Sequence, residues 1–233
     1  VPVLINHTIN NTFLNNLLEV YKPEYIFLPT AIPISIINCK MVYSFGSYTL
    51  LKTEYNIDYT LHYDLALLLS TSGSTGSQKF VRQSYNNINS NAKAIAKYLE
   101  ISSADRPITT MPMSYSYGLS IINSHLISGA SVIINNYSLV DKNFWKLYDQ
   151  IKPSNVNGVP FFYEIFNKIG FERILENKPR FITQAGGRIK NKIFNKIANI
   201  CLQNDISFYL MYGQTEASPR ISYHKVKTKD LKT

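Results

Sequence analysis

Short apolar runs alternate with helical patterns along this chain, and that alternation constrains the fold more than any other feature. Between the runs, apolar residues recur with the i, i+3/i+4, i+7 spacing of a helix, in segments that begin near residues 13, 88, 144 and 189. This order predicts an α/β fold with largely parallel sheets flanked by helices. The strand-length runs lie at residues 25–28, 65–69, 108–111, 131–134, 181–183 and 208–211.

Several residues have a structural interpretation. Asp141 is a predicted N-cap, while Pro160 and Gly170 are predicted to open and close the helix between them. His125 lies on an apolar helical face, which favours a satisfied core or surface histidine over a catalytic base, and Trp145 lies on an apolar helical stripe, which favours a core position. The pair at 105–106 is interpreted as a surface turn.

Polar or glycine-bearing segments follow several of the predicted strands. They lie at residues 70–79, 112–118, 184–188 and 212–216. In open parallel sheets, ligands bind beyond the carboxyl ends of the strands. We therefore expect these segments to meet at one ligand site.

The segment LSTSGSTGSQKF, residues 69–80, has the composition of a phosphate-binding loop. Its hydroxyl groups and glycines let several N–H and O–H donors approach one anion, and Lys79 adds a positive charge. The P-loop pattern is not met, because Gly73 and Gly76 are too close together and Phe80 follows the lysine. The alternative interpretation is a solvated linker.

Two further segments carry groups suited to a nucleotide. In YGQTE, residues 212–216, an aromatic ring can stack on a purine, a hydroxyl can hold a phosphate oxygen and a carboxylate can hold Mg²⁺. In QAGGR, residues 184–188, two glycines let a flat ring lie against the backbone. The alternatives are a turn with a capping Thr and a Gly-Gly turn.

Bulk properties exclude several classes of protein. The 233 residues are 45% hydrophobic and 17% charged, and no stretch approaches the about 20 apolar residues of a membrane span. The net charge of +9 comes from scattered lysines, which indicates a solvated basic face and no nucleic-acid partner. Cys39 and Cys201 lie far apart, and this predicts reduced thiols and a cytoplasmic protein.

Taken together, these motifs resemble those of adenylate-forming (AMP-binding) enzymes. STSGSTGSQK, PMSYSYG, the GVP at 158–160, QAGG and YGQTEA occur in the order expected of that superfamily, up to about residue 223. The motif sequences are most similar to those of bacterial AMP-dependent acyl synthetases and AMP-acid ligases. The resemblance implies an AMP-forming acid–thiol ligase, similar to an acyl-CoA synthetase. Such an enzyme uses Mg·ATP to convert a small-molecule carboxylate to an acyl-adenylate, with CoA or the phosphopantetheine of an acyl carrier protein as acceptor.

The resemblance also implies residue roles. It makes Lys79, Thr215 and Glu216 catalytic, with Glu216 as the Mg²⁺ ligand and Thr215 at the α-phosphate. Tyr212 would stack on adenine. The predicted cofactor-binding residues are Thr71, Ser72, Gly73, Ser74, Thr75, Gly76, Ser77, Lys79, Ala185, Gly186, Gly187, Tyr212, Gly213 and Thr215. The predicted substrate residues, bordering the carboxylate pocket, are Tyr115, Tyr117, Gly158 and Val159.

The chain also departs from the family pattern. It has Gln78-Lys79-Phe80 where the family usually has Pro-Lys-Gly, and a ribose-binding aspartate and a small lysine-bearing C-terminal domain are not recognisable after Ala217. We therefore expect residues 1–233 to form part of the large domain, with its N-terminal subdomain incomplete and the small C-terminal domain absent. The alternatives are a catalytically inactive nucleotide- or acyl-binding fragment and a basic nucleic-acid-binding fragment.

Overall fold

The computed structural model describes residues 1–6, 8–32, 38–71 and 80–231. The longest described helix has 14 residues, and no helix in these ranges is long and apolar enough to cross a bilayer. The helices are α1 (Asn11–Tyr21), α2 (Tyr85–Tyr98), α3 (Ser116–Leu126), α4 (Lys142–Ile151), α5 (Pro160–Ile169), α6 (Glu172–Leu175) and α7 (Asn191–Gln203), with short 3₁₀ helices at Thr215–Ala217 and Thr228–Asp230. The strands are β1 (Val3–Leu4), β2 (Tyr25–Pro29), β3 (Cys39–Phe45), β4 (Tyr48–Thr53), β5 (Leu65–Leu69), β6 (Val81–Ser84), β7 (Asn155–Gly158), β8 (Phe181–Gln184), β9 (Ser207–Gly213) and β10 (Arg220–Lys225).

These strands form three sheets within the described ranges. In the order β10-β9-β8-β7, strands β7 to β9 are parallel and β10 is antiparallel. In the order β1-β5-β6, strand β5 pairs with β1 in parallel and with β6 in antiparallel orientation. The sheet β2-β4-β3 is wholly antiparallel. The α/β class is confirmed, but the sheets are mixed, with parallel pairing concentrated in β7 to β9.

The predicted strands at 108–111 and 131–134 are wrong. These segments meet only in one isolated parallel bridge between Ile108 and Ile133. Pro107 and Pro112 lack the N–H needed to extend the ladder on the first segment. The segment still lies beside β7, because Pro107 bridges Asn155.

Helices cover both faces of the sheet that contains β8 and β9. Along β8, Ile182 belongs to one buried cluster with α4, α5 and α7, whereas the neighbouring Phe181 belongs to another with α2 and α3. Phe208 and Tyr209 alternate in the same way on β9, as successive strand side chains must. The sheet is therefore the centre of a layered core.

The predicted helix boundaries at Asp141, Pro160 and Gly170 are confirmed. The Asp141 carboxylate accepts a 2.8 Å hydrogen bond from the Asn143 N–H at the start of α4. Pro160 occupies the first turn of α5, and Gly170 caps its end with φ of +111°. Trp145 is buried, with its Nε1–H donating to the Leu139 carbonyl at 2.8 Å.

A chain of buried hydrogen bonds connects α3 to the parallel strands. The His125 Nδ1–H donates to the Ile121 carbonyl at 2.7 Å, so Nε2 accepts from the Asn155 amide at 3.0 Å. Asn157 then donates to the Asn155 side-chain oxygen at 2.8 Å and accepts from Thr183 Oγ1 at 2.5 Å. Burial lowers the pKa of His125, which favours the neutral ring that this pattern requires. His125 is therefore a satisfied core residue, the first of the two predicted alternatives.

The surface turn predicted at 105–106 is wrong for Asp105, which is 3% exposed. Its carboxylate accepts hydrogen bonds from Arg180 Nη2 at 2.7 Å and Nε at 3.2 Å, and from the Ser102 N–H at 2.9 Å. Burial alone would raise the pKa of this carboxyl, but these hydrogen bonds outweigh it and hold the pKa below its usual range. The pair fixes the segment before α3 to the start of β8.

We expect Asp105→Asn to lower the free energy of unfolding by about 2 kcal/mol near neutral pH, because charge-assisted hydrogen bonds are lost. The folded pKa of Asp105 is depressed, so its contribution is present above the unfolded value of about 3.9 and is lost as the pH falls through the folded value. Urea unfolding of both proteins near neutral pH and in acid measures the difference and its loss.

Asp149→Asn is the matched control. Asp149 pairs with Arg173 at 3.6 Å, and both side chains are nearly half exposed, so its removal should change the stability by only about 0.5 kcal/mol. Equal losses in the two variants, or an Asp105→Asn deficit that persists in acid, would contradict the assignment.

Candidate functional site

The parallel strands end side by side, and this edge of the sheet holds the candidate site. Gly158 at the end of β7 pairs with Gln184 at the end of β8, which pairs with Leu210 in β9. The chain therefore leaves the sheet at one edge after each strand, at residues 159, 185–187 and 214–216. Of the four segments predicted to meet at one site, 184–188 and 212–216 thus lie at this edge.

Three predicted residues from different segments meet around Gly186. A Cβ built on Gly186 would lie 2.5 Å from the Tyr115 hydroxyl oxygen and 3.1 Å from Val159 Cγ1. Gly186 has φ of +81°, in the left-handed region that favours glycine. Tyr115, Val159 and Gly186 thus form one wall, and the bare Gly186–Gly187 backbone is exposed beside it.

Tyr117 and Ala185 lie beneath that wall. Tyr117 is 3% exposed and packs with Ala185 in the cluster under α2 and α3. Its hydroxyl donates to Thr183 Oγ1 at 2.6 Å, and its burial raises the pKa of the phenol. Its ring stands 6.4 Å from that of Tyr115, edge to face. Tyr117 therefore supports Tyr115 from behind, and Gly158 is likewise buried.

Thr215 is held from two sides. Its backbone carbonyl accepts a 2.7 Å hydrogen bond from the Gln83 side-chain amide, and its Oγ1 lies 3.1 Å from Ser116 Oγ. Ser218 in turn donates to the other end of the Gln83 amide. Gln83 is 2% exposed, so both ends of a buried amide are satisfied. This arrangement fixes the Thr215 turn against the first residue of α3.

The rest of the YGQTE segment faces outward. Tyr212 is 61% exposed, which leaves a ring face open for stacking. A side chain on Gly213 would clash with the Pro219 carbonyl, which accepts a 2.8 Å hydrogen bond from the Gln214 N–H. Glycine is therefore required where the chain folds back on itself.

The Ser/Thr/Gly loop connects two paired strands near this turn. Leu69 in β5 pairs with Val81 in β6, and Gln83 of β6 contacts Thr215. Thr71 lies two residues after the end of β5 and is described. The other predicted loop residues, Ser72, Gly73, Ser74, Thr75, Gly76, Ser77 and Lys79, lie outside the described residues.

One carboxylate at this edge fits a magnesium ion brought by a nucleotide. Glu216 is exposed and forms no ion pair with any described residue. The described ranges hold no group of three or more His, Cys, Asp or Glu that could bind a metal alone. Mg²⁺ often takes one or two protein carboxylates, with phosphate oxygens and water completing its shell. Glu216 therefore has the chemistry of one carboxylate ligand in such a shell.

Comparison with known proteins identifies the family. The family described as AMP-binding enzyme matches residues 13–233, nearly the whole chain. This chain belongs to the AMP-binding enzyme family. The resemblance seen in the motifs is thereby confirmed.

Relatives within the family are distant. A medium-chain fatty-acid–CoA ligase of Escherichia coli is 29% identical over 176 residues, covering 72% of this chain and 29% of that protein. A 2-succinylbenzoate–CoA ligase of Lactococcus lactis is 26% identical over 153 residues, covering 66% of this chain and 32% of that protein. The chain thus spans less than a third of the length of these relatives.

Solved structures show the same fold. Escherichia coli MenE with bound OSB-AMS has a TM-score of 0.65 at 15% identity, covering 96% of this chain and 46% of that one. The N-terminal subdomain of Klebsiella oxytoca NpsA, in complex with 3-hydroxyanthranilyl-AMSN, has a TM-score of 0.60 at 20% identity, covering 76% of this chain and 44% of that one. The fold is that of the N-terminal domains of adenylate-forming enzymes.

Sequence reasoning missed residues that hold the site together. Gln83 and Ser116 contact Thr215 across 132 and 99 residues of chain, and neither stands out by type or spacing. Arg220 was also missed; its guanidinium carbon lies 4.9 Å from the centroid of the Tyr117 ring.

We expect Gly186→Ala to lower the free energy of unfolding by about 2 kcal/mol, because the new Cβ meets the Tyr115 hydroxyl and the backbone stays left-handed. Tyr115→Phe in the Gly186→Ala background should restore part of the loss, since it removes the oxygen at 2.5 Å but not the backbone strain. Chemical denaturation of Gly186→Ala, Tyr115→Phe and the double variant separates the loss due to the contact from the loss due to backbone strain. Additive losses in the double variant would contradict the contact.

We expect Gln83→Leu to weaken AMP binding about tenfold, because it frees the backbone of Thr215 and leaves buried polar atoms unpaired. Isothermal titration calorimetry measures the affinity, and Gln203→Leu on the exposed end of α7 is the control. If Gln83 acts through Thr215, the two substitutions Gln83→Leu and Thr215→Ala will not be additive. Full additivity would show that Gln83 only supports the fold.

Proposed function

We propose that this protein activates a carboxylic acid with Mg·ATP, giving an acyl-adenylate and pyrophosphate, and that the acyl group then passes to a thiol. The observation that carries this proposal is the convergence of Gly186, Tyr115 and Thr215 at the carboxyl ends of β7 to β9. The family match supports it. Residues 1–233 would act as part of a large nucleotide-binding domain.

The nucleotide would lie over the exposed backbone after β8. Adenine would rest against Ala185, Gly186 and Gly187, with the Tyr212 ring stacked on it. The pinned Thr215 side chain would donate to the α-phosphate. Thr71 and the Ser/Thr/Gly loop with Lys79 would surround the β- and γ-phosphates, because the strands that carry this loop are fixed beside Thr215.

The acid would enter beside Tyr115 and Val159, with Gly158 and Tyr117 forming the layer beneath them. Burial raises the pKa of Tyr115, so its hydroxyl stays protonated near neutral pH and can donate to a substrate oxygen. A carboxylate oxygen would then form a bond to the α-phosphorus as the bond from that phosphorus to the pyrophosphate oxygen breaks. Positioning and charge stabilisation supply most of such catalysis.

Glu216 would hold Mg²⁺, which when bound would supply charge neutralisation at the phosphates. Lys79 would supply a second positive charge to the same phosphates. In the next step a thiol sulfur, from CoA or from a carrier-protein phosphopantetheine, would attack the acyl carbonyl and AMP would leave. The medium-chain fatty-acid– and 2-succinylbenzoate–CoA ligases among the relatives favour a thiol acceptor.

The direct test is carboxylate-dependent exchange of labelled pyrophosphate into ATP, over a panel of fatty, aryl, hydroxy and amino acids. Exchange that depends on one class of acid is the expected result, and it would name that class. Binding of AMP with no exchange for any acid would contradict adenylation and favour the alternative, a protein that only binds nucleotide or acyl groups.

We expect Glu216→Ala to reduce the exchange rate about 100-fold while leaving the unfolding transition unchanged, because a ligand of Mg²⁺ is lost from an exposed position. Glu19→Ala, at an exposed position of α1, is the matched control and should keep the full rate. A Glu216→Ala rate equal to that of the control would remove the metal assignment.

Lys79→Ala should slow exchange more than it weakens AMP binding, and the opposite pattern would exclude contact between Lys79 and the β- and γ-phosphates.

A further inference from the structure

Arg220 stands at the start of β10, immediately after the turn that holds Thr215. Its guanidinium carbon lies 4.9 Å from the centroid of the Tyr117 ring, and the side chain is half-buried. Its positive charge also acts on the Tyr98 hydroxyl on α2, where it opposes the rise in pKa that burial causes. Arg220 is therefore a cation on the border of an aromatic cluster formed by α2, α3 and the sheet.

The Arg220 side chain lies on the opposite face of the sheet from the Tyr212 side chain. Arg220 pairs with Gly213, which has the same orientation along β9 as Met211. The Tyr98 hydroxyl, on which the Arg220 charge acts, lies 3.0 Å from Met211 Sδ. The face of Tyr212, proposed for adenine, is therefore separate from the face that Arg220 shares with Tyr117.

The charge of Arg220 has no counter-ion among the described residues. The five ion pairs found there do not include it, and its Nε is buried with no hydrogen-bond partner. The hydroxyls near it belong to Tyr98, Tyr115 and Tyr117. Burial raises the pKa of all three, to about 12 for Tyr98, although Arg220 opposes the rise. They are neutral near pH 7, so they cannot balance the guanidinium.

A half-buried cation without a counter-ion is costly, and a carboxylate is the best-matched ligand of Arg220, because the guanidinium fork presents parallel N–H donors. We propose that Arg220 binds a second carboxylate of the acid that is activated, so that the preferred substrates are dicarboxylic acids joined to AMP through their other end. This inference rests on the proposed function. The guanidinium lies over the Tyr117 ring, on the face of the sheet away from Tyr212, so the second carboxylate would approach Arg220 from that side.

The test uses non-reactive acyl-sulfamoyl adenosines in matched pairs that differ only by a terminal carboxylate. One pair carries hexanoyl and 5-carboxypentanoyl groups, and the other carries benzoyl and 4-carboxybenzoyl groups. In at least one pair, the carboxylate-bearing compound should bind about tenfold more tightly in calorimetry, the worth of one charge-assisted contact. Arg220→Leu should abolish this preference, and Arg220→Lys should retain part of it.

Arg173→Leu is the control, because that arginine also stacks on a ring, Trp145, but is paired with Asp149. It should keep the full preference. Equal affinities within both pairs, or a preference that survives Arg220→Leu, would overturn the role of Arg220. If Arg220 instead held the reacting end of the acid or the phosphate, Arg220→Leu would weaken both members of each pair equally.

The failure of this inference differs from the failure of the proposed function. Tight binding of the uncharged compounds without a preference would contradict only the dicarboxylate inference. No binding of any of the four compounds would contradict both. Thermal unfolding of each variant shows that it is folded, and Arg220→Lys preserves the charge should Arg220→Leu fail to fold.

Discussion

The structure depends on a buried line of hydrogen bonds that joins helix α3 to the parallel strands. It runs from His125 through Asn155, Asn157 and Thr183 to the Tyr117 hydroxyl. Every member is buried, so breaking one link would leave a polar atom unpaired in a medium where that is costly. The line fixes the start of α3, and with it Tyr115 and Ser116, to the ends of β7 and β8.

Because this line fixes α3 to the ends of β7 and β8, the candidate site has surfaces on both faces of the sheet. Gly186 can approach Tyr115 because α3 is locked in place, and Thr215 is fixed because Ser116 and Gln83 hold it from opposite directions. The exposed glycine backbone and Tyr212 then form a surface for a flat ring, while Tyr117 and Arg220 lie on the other face of the sheet. A nucleotide and an acid could therefore meet at Thr215 from different sides.

The sequence predicted the outline of the fold and the meeting of the loops, because strand and helix periodicity and the glycine segments are local signals. It did not predict Gln83, whose partner lies 132 residues away. Asp105 was placed on the surface because its partner Arg180 is equally remote. Strand β7, with the sequence NVNG, lacks an apolar pattern because Asn155 and Asn157 are buried through their hydrogen bonds. Tertiary contacts decided each of these positions.

The most direct test of this account is a crystal structure of the protein with AMP bound. The account predicts adenine against the Gly186–Gly187 backbone with the Tyr212 ring stacked on it, and the phosphate within hydrogen-bond distance of Thr215 Oγ1. AMP bound away from the carboxyl ends of β7 to β9, or with its phosphate remote from Thr215, would contradict it.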